Sequence, residues 1–196
     1  MDYQAAEAYI LELLRANLPD TLYYHGIHHT LDVVQAAEQL AAAEGVSDDE
    51  SLALLRTAAC FHDAGFLGAY QGHEEMGCEI VREVLPDYGF QSDQIERICS
   101  MIMATKIPQS PDSHLAQILC DADLDYLGRD DFEPIADSLF RELKARNLIA
   151  DLPAWNRVQV KFLENHHYWT ASAIAWRQSE KQRHLDDLRG ILESDN

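Results

Sequence analysis

Apolar residues recur at three- and four-residue steps along most of the chain, the spacing that places them on one face of a helix. The first run, Ala5, Ala8, Tyr9, Leu11 and Leu14, predicts an amphipathic helix over residues 3–16. The same pattern predicts further helices over residues 29–44, from Ser47–Glu50 to about His62, and over 73–85, 92–105, 114–120, 131–147, 153–177 and roughly 180–193. No segment alternates strictly between apolar and polar residues, so no strand is predicted. The expected fold class is all-α.

The segments between the predicted helices are short and carry turn and capping residues. Gly45 follows the second helix as a C-cap residue would, and Pro86 and Gly89 separate the fourth and fifth helices. No low-complexity linker or internal repeat interrupts the chain. The sequence therefore predicts one compact helical bundle over residues 1–196.

Composition and charge restrict the partners of this bundle. The chain is 47% hydrophobic and 25% charged, which is typical of a globular protein. Its net charge is −19, which argues against a nucleic-acid polymer as partner because phosphate contacts need clustered Lys and Arg. A small anionic substrate is still compatible, since a metal ion and a few local cations can invert the field in a cleft.

No membrane or export segment is expected. No stretch approaches the roughly 20 apolar residues that span a bilayer, and "MDYQAAEAYILELL" lacks the basic start of a signal peptide. A cytoplasmic location follows by default. The four cysteines form no CxxC pair and lie in apolar runs, which predicts buried, reduced thiols at Cys60, Cys78, Cys99 and Cys120.

Three polar stretches stand at helix ends that are otherwise apolar: "YHGIHH", "CFHDAG" and "CDADLDYLG". Each alone could simply face water. Together they offer imidazoles and carboxylates that one pocket between helices could collect. This mixed nitrogen and oxygen set suits a divalent metal ion, with Mn, Fe, Ni, Co, Zn and Mg all open. The third stretch lacks the glycine and the distal glutamate of an EF-hand.

The order of these residues resembles the H…HD…D signature of the HD-domain superfamily. The resemblance runs over "YHxxxHTxxVV", "CFHDAG" and "CDADLDYLG", roughly residues 20–130. It implies an all-helical, metal-dependent phosphohydrolase, with residues 131–196 packed on the motif core. It also implies four metal ligands, His29, His62, Asp63 and Asp123. Asp121 and Asp125 would support the site or the fold.

The same resemblance suggests residues that act on the substrate. His25 is similar to the histidine of cyclic-nucleotide phosphodiesterases that protonates the leaving oxygen, and its ordinary pKa near 6.5 suits proton transfer at neutral pH. Asp63 could orient the attacking water. His28 has no family role and is expected to be exposed or a hydrogen-bonding neighbour.

The element "HEEMGCEIV" resembles the HPxxG element of the HD-GYP branch, whose histidine binds a second metal. The chain departs from that branch in "MIMATKIPQSP", where a pair of histidines would be expected. We therefore expect one metal, with His73 and Lys106 nearer to the substrate phosphate.

Further candidates for substrate binding lie in "FLENHHYWTASAIAWRQSEKQ". On a continuous helix, His166, Thr170, Ala173 and Arg177 would share a face that could meet a phosphate, and Lys181 follows. The alternative is that Tyr168, Trp169 and Trp176 pack in the core or against a partner while the charges are solvated. The aromatic segment also offers a face for a homodimer.

The leading hypothesis is a metal-dependent phosphohydrolase that cleaves a phosphomonoester or phosphodiester through a metal-bound water, with a nucleotide as the favoured small substrate. The alternative is a non-catalytic metal- or nucleotide-binding regulatory module. An oxygenase with two irons ranks last, because it needs more histidines than the sequence offers.

Overall fold

The chain is helical from end to end, as its apolar periodicity predicts. The computed structural model describes residues 1–194, and this part contains nine α-helices and no strand. The helices are α1 (Tyr3–Asn17), α2 (Ile27–Ala43), α3 (Asp49–Phe61), α4 (His73–Val84), α5 (Ser92–Thr105), α6 (His114–Asp123), α7 (Phe132–Ala145), α8 (Leu152–Asn165) and α9 (Ala171–Ser194). The all-α prediction is confirmed. Residues 195 and 196 of the predicted domain lie outside the described part.

Local capping explains where several helices begin and end. The side chains of Asp2, Asp48 and Asp151 accept hydrogen bonds from backbone N–H groups three residues later, at 3.1, 2.8 and 2.8 Å. These bonds satisfy N–H groups that have no partner within the helix. After α2, Gly45 takes a positive φ of 76°, the left-handed conformation that glycine adopts without steric cost.

The larger hydrophobic cluster belongs to α1–α6. Helices α2, α3, α5 and α6 pack on one another, and side chains such as Leu40, Leu54, Ile98 and Leu119 are fully buried between them. All four cysteines are buried and free, which confirms that prediction for this structure. This cluster determines how the ends of α2, α3 and α6 lie relative to one another.

A smaller cluster joins the end of α6 to the last three helices. It contains Tyr126, Phe132, Trp155, Leu163 and Leu185, all buried. Helices α8 and α9 pack together, and α9 also packs on the short 3₁₀ turn that follows α6. Within the described residues, no helix combines the length and apolar character needed to cross a membrane.

The predicted helices over 153–177 and 180–193 are wrong at their boundaries. Helix α8 ends at Asn165, and α9 runs without a break from Ala171 to Ser194. The buried Asp121 carboxylate accepts hydrogen bonds from the backbone N–H groups of Trp169 and Thr170, each at 2.8 Å, and from the Thr170 hydroxyl at 2.8 Å. These partners from α6 hold the intervening segment in a non-helical path. The face proposed for His166, Thr170, Ala173 and Arg177 therefore does not form.

Replacing Asp121 with alanine should destabilise the protein strongly. The variant leaves the donors of Trp169 and Thr170 without their buried acceptor, and each such group costs about 1–3 kcal/mol. We expect the free energy of unfolding to fall by roughly 3 kcal/mol, measured by urea denaturation. The exposed Asp137, changed to alanine, serves as control and should shift it by less than about 0.5 kcal/mol. Equal stability of the two variants would contradict this role of Asp121.

Candidate metal centre and adjoining cavity

Four polar side chains converge from the ends of three packed helices. His29 lies in the first turn of α2, His62 and Asp63 directly follow α3, and Asp123 is the last residue of α6. Because α2, α3 and α6 pack against one another, these ends meet at one point beneath the surface. His29, His62 and Asp63 are buried, and Asp123 is half-buried.

The nitrogen and oxygen atoms of this group are closely spaced. His29 Nε2 lies 3.1 Å from Asp123 Oδ1, 3.4 Å from His62 Nε2 and 3.6 Å from Asp63 Oδ2. His62 Nε2 lies 3.3 Å from Asp63 Oδ2 and 3.6 Å from Asp123 Oδ1. Metal–ligand bonds of about 2.1 Å place neighbouring ligand atoms roughly 3.0–3.4 Å apart. Among the described residues, His29, His62 and Asp123 each offer a ligand atom within 4.8 Å of the other two, a spacing that fits one divalent cation, and Asp63 Oδ2 contacts both imidazoles of this set.

The hydrogen bonds of Asp63 and His62 also indicate a cation site. Asp63 Oδ2 is buried and has no hydrogen-bond donor, a costly state for a carboxylate oxygen unless a cation is nearby. The carbonyl of Ala59 can only accept, so the 2.7 Å contact with His62 Nδ1 requires the proton on that nitrogen. In the neutral imidazole, Nε2 then presents its lone pair to the group, as metal-binding histidines do.

The charges of the group favour a cation. Burial by itself would raise the pKa of Asp63 and Asp123, but the neighbouring imidazoles lower the pKa of both carboxyl groups well below its usual range. Burial likewise lowers the pKa of His62, yet the two carboxylates reverse this and raise it well above its usual value. The two carboxylates therefore stabilise a proton on His62. A bound metal ion would compete with this proton.

His25 is held by an acidic residue that the sequence did not single out. Its Nδ1 donates to Glu142 Oε1 at 2.5 Å, and the Tyr70 hydroxyl donates to the same oxygen at 3.0 Å. The backbone N–H groups of Tyr24 and His25 donate to Glu142 Oε2 at 2.9 and 3.1 Å. The Glu142 side chain is 0% exposed. Burial raises the pKa of Glu142, but the His25 imidazole and the two backbone donors outweigh burial and lower this pKa to about 2.

His73 lies at the start of α4 and faces the same group. Its Nε2 is 3.6 Å from Asp63 Oδ1 and 3.5 Å from Glu74 Oε1. The Phe66 ring stacks on the rings of both His73 and His25, with centroid distances of 4.0 and 4.3 Å. A Cβ on Gly65 would lie 1.8 Å from the His73 carbonyl oxygen. Glycine at this position therefore allows the turn after α3 to pack against the start of α4.

The predicted cationic residues all have other partners. Lys106 is exposed and forms an ion pair with Glu75, and Arg177 Nε donates to Asp125 Oδ1 at 2.6 Å. Lys181 is buried and donates to the backbone carbonyl of His166. The structure thus brings His25 and His73 to the four side chains described above, the metal-type group (His29, His62, Asp63 and Asp123), and places these three cations elsewhere. Their role in substrate binding stays a prediction.

The remaining predictions concern supporting residues. Asp121 holds the segment before α9, and Asp125 accepts hydrogen bonds from Arg177, so both acids connect α6 and its following turn to α9. This agrees with the expected structural role. His28 is exposed, as expected. Tyr168 is buried, whereas Trp176 is 41% exposed.

A cavity of about 280 Å³ opens beside the metal-type group. His25, Asp63, His73 and Asp123 form its polar end. The opposite walls come from the smaller hydrophobic cluster and its neighbours, including Leu124, Leu139, Leu143, Trp155, Val158 and Phe162. The smaller cluster therefore forms the apolar wall that faces the polar end.

The protein is all-α, and its helix ends bring two imidazoles and two carboxylates together beside a cavity. It therefore belongs to the class of all-α proteins with a candidate metal centre. The family model for the HD domain matches residues 26–125, slightly more than half of the chain. The chain belongs to the HD-domain family.

A solved structure shares the fold. It is the crystal structure, at 1.45 Å resolution, of a predicted HD superfamily hydrolase from an uncultured Thermotogales bacterium. The TM-score is 0.60 at 20% sequence identity, and the match covers 96% of this chain and 92% of that one. A search of curated proteins found no match.

Proposed function

We propose that this protein is a metal-dependent phosphohydrolase that cleaves phosphate esters. The observation that carries the proposal is the buried Asp63 Oδ2, which accepts no hydrogen bond and lies within 3.6 Å of two imidazoles at the end of a cavity. Membership of the HD-domain family supports it. Because α7 and α8 supply the cavity wall opposite the motif residues, we also propose that residues 1–196 act as one domain.

In this proposal His29, His62, Asp63 and Asp123 hold the cation. A divalent ion bound there would polarise a phosphoryl oxygen and increase the acidity of a nearby water molecule. Asp63 Oδ1 is directed towards His73 rather than towards the two imidazoles, and it could orient the attacking water. His73 then lies beside the phosphate at the cavity end.

His25 is the proposed proton donor to the leaving oxygen. Its ring lines the cavity, and Glu142 holds its Nδ1 at 2.5 Å. The ring is further oriented by stacking on Phe66. Since Nδ1 is committed to the carboxylate, Nε2 is the nitrogen available for proton transfer. Glu142 is a positioning residue, because it acts through His25.

The proposal is tested by removing metal and adding it back. The purified protein is treated with a chelator, and phosphate release from a panel of phosphate esters is followed after addition of Mn²⁺, Fe²⁺, Co²⁺, Ni²⁺, Zn²⁺ or Mg²⁺. We expect chelation to lower turnover at least about 100-fold and one or more of these ions to restore it. Stoichiometric metal binding without turnover on any ester would overturn the proposal in favour of the regulatory binding module.

A further inference from the structure

The cavity beside the metal-type group is unusual for a phosphate-binding site because its walls are mainly apolar. Beyond the polar end, leucine, valine and aromatic side chains of α7 and α8 surround the space. Two of the lining residues, Ile107 and Val158, are also 55% and 46% exposed. An apolar surface therefore continues from the interior to the mouth of the cavity.

Positive charge is missing from the same walls. No Lys or Arg of the described residues lines the cavity. Arg177 and Arg129 are engaged with Asp125, and Arg146 contacts the Tyr70 ring, its Cζ 4.2 Å from the centroid. A second phosphate group or a carboxylate on the substrate would therefore enter the cavity without a cation to neutralise it, which is costly.

Polar groups are scarce along the wall that α7 and α8 form. Among the described residues of these two helices, Gln159 is the one that brings an amide to the cavity, whereas the other polar lining residues outside the polar end come from other segments: Tyr24, Tyr70, Glu74, Thr105 and Tyr126. Hydroxyl groups of a sugar would lose their water and find few partners there, whereas an apolar or aromatic group would gain by leaving water. The volume of about 280 Å³ lies near the lower end of the range for small-molecule sites, about 300–1,000 Å³.

We infer that the site takes a small phosphomonoester whose organic part is uncharged and mainly apolar, such as an aromatic or branched aliphatic group. The inference rests on the proposed function and narrows its substrate class. The phosphate lies at the end lined by His25, His73 and Asp63, and the organic part lies against α7 and α8. Sugar phosphates and polyphosphates are disfavoured.

Three primary alkyl esters with similar leaving oxygens test this inference: 2-phenylethyl phosphate, glycerol 3-phosphate and a nucleoside 5′-monophosphate. We expect kcat/KM of the metal-loaded protein to be at least about tenfold higher for 2-phenylethyl phosphate. Affinity for the non-hydrolysable 2-phenylethylphosphonate and methylphosphonate, measured by calorimetry, gives a readout independent of turnover. The phenylethyl compound should bind at least about tenfold more tightly.

Val158→Ser places a neutral polar group on the apolar wall with little risk to the fold. It should lower kcat/KM for 2-phenylethyl phosphate and the affinity for its phosphonate by up to about tenfold, with little effect on glycerol 3-phosphate. Ile174→Ser is the matched control, because Ile174 is also 46% exposed and does not line this cavity. It should leave both quantities unchanged.

The outcomes separate this inference from the proposed function. Equal or faster hydrolysis of glycerol 3-phosphate or the nucleotide would overturn the inference while leaving the phosphohydrolase proposal intact. Selective binding of 2-phenylethylphosphonate that weakens in Val158→Ser, without hydrolysis of any ester, would support the ligand class and refute the enzyme. A protein that shows no selective binding and no turnover would overturn both the inference and the proposed function.

Discussion

Replacing Asp63 with asparagine is expected to abolish metal-dependent turnover. Asparagine has nearly the same shape, but its side chain is neutral and leaves His29 and His62 facing an amide in place of a carboxylate. Residues that merely support a metal ligand change affinity or activity by about 10–100-fold. Loss of a proposed ligand should therefore lower both metal affinity and phosphate release by more than about 100-fold.

The measurement pairs phosphate release with the metal content of dialysed protein, determined by mass spectrometry. Circular dichroism checks that the variant is folded. Asp32→Asn is the matched control, because Asp32 lies on α2 and pairs with Arg129 at 2.9 Å outside the metal-type group. It should retain metal and activity. A folded Asp63→Asn protein that binds metal and turns over like the wild type would refute the assigned ligand set.

Changing Glu142 to glutamine should affect both catalysis and stability. The variant removes the carboxylate that holds Nδ1 of His25, so the ring is less firmly oriented. We expect kcat to fall about 10–100-fold, whereas KM should change little. If Glu142→Gln lowers kcat by the same factor in a His25→Ala background as in the wild type, Glu142 does not act through His25.

The same variant should lose roughly 3 kcal/mol of stability near neutral pH, since the fully buried Glu142 carboxylate that accepts four hydrogen bonds is replaced by a neutral amide. The folded-state pKa of Glu142, about 2, is below the ordinary value of 4.5. Its stabilising contribution is therefore present above about pH 4.5 and is lost as the pH falls towards 2.

Urea denaturation at pH 7 and pH 3 measures this effect. The stability difference between wild type and Glu142→Gln should shrink at the lower pH. Glu133→Gln, an exposed change on the same helix, should shift the free energy of unfolding by less than about 0.5 kcal/mol at either pH. A Glu142→Gln protein as stable as this control at pH 7 would contradict the stabilising role.

The candidate site divides into residues that local patterns indicate and residues that they do not. His29, His62 and Asp63 lie where apolar helices begin or end, so short stretches of sequence are enough to predict them as site residues. Glu142 lies on an amphipathic helix among other acids, and nothing in its neighbours distinguishes it. Its importance depends on His25, 117 residues earlier in the chain.

The break between α8 and α9 shows the same limit for the fold. Residues 153–177 have helical composition, and the segment 166–170 contains no glycine or proline to end a helix. The interruption depends on the Asp121 carboxylate, which lies 48 residues before Trp169. A buried acceptor offers the backbone a partner that outweighs local propensity.

The sequence by itself determined the helical class, most helix boundaries before residue 150 and the family to which the chain belongs. These follow from periodicity, capping and short motifs, which act between residues close in the chain. Tertiary structure decided that the two histidines and two aspartates meet within about 3.6 Å in the contacts observed. It also decided the partner of His25 and the apolar walls of the cavity, because these depend on packing between helices that are distant in sequence.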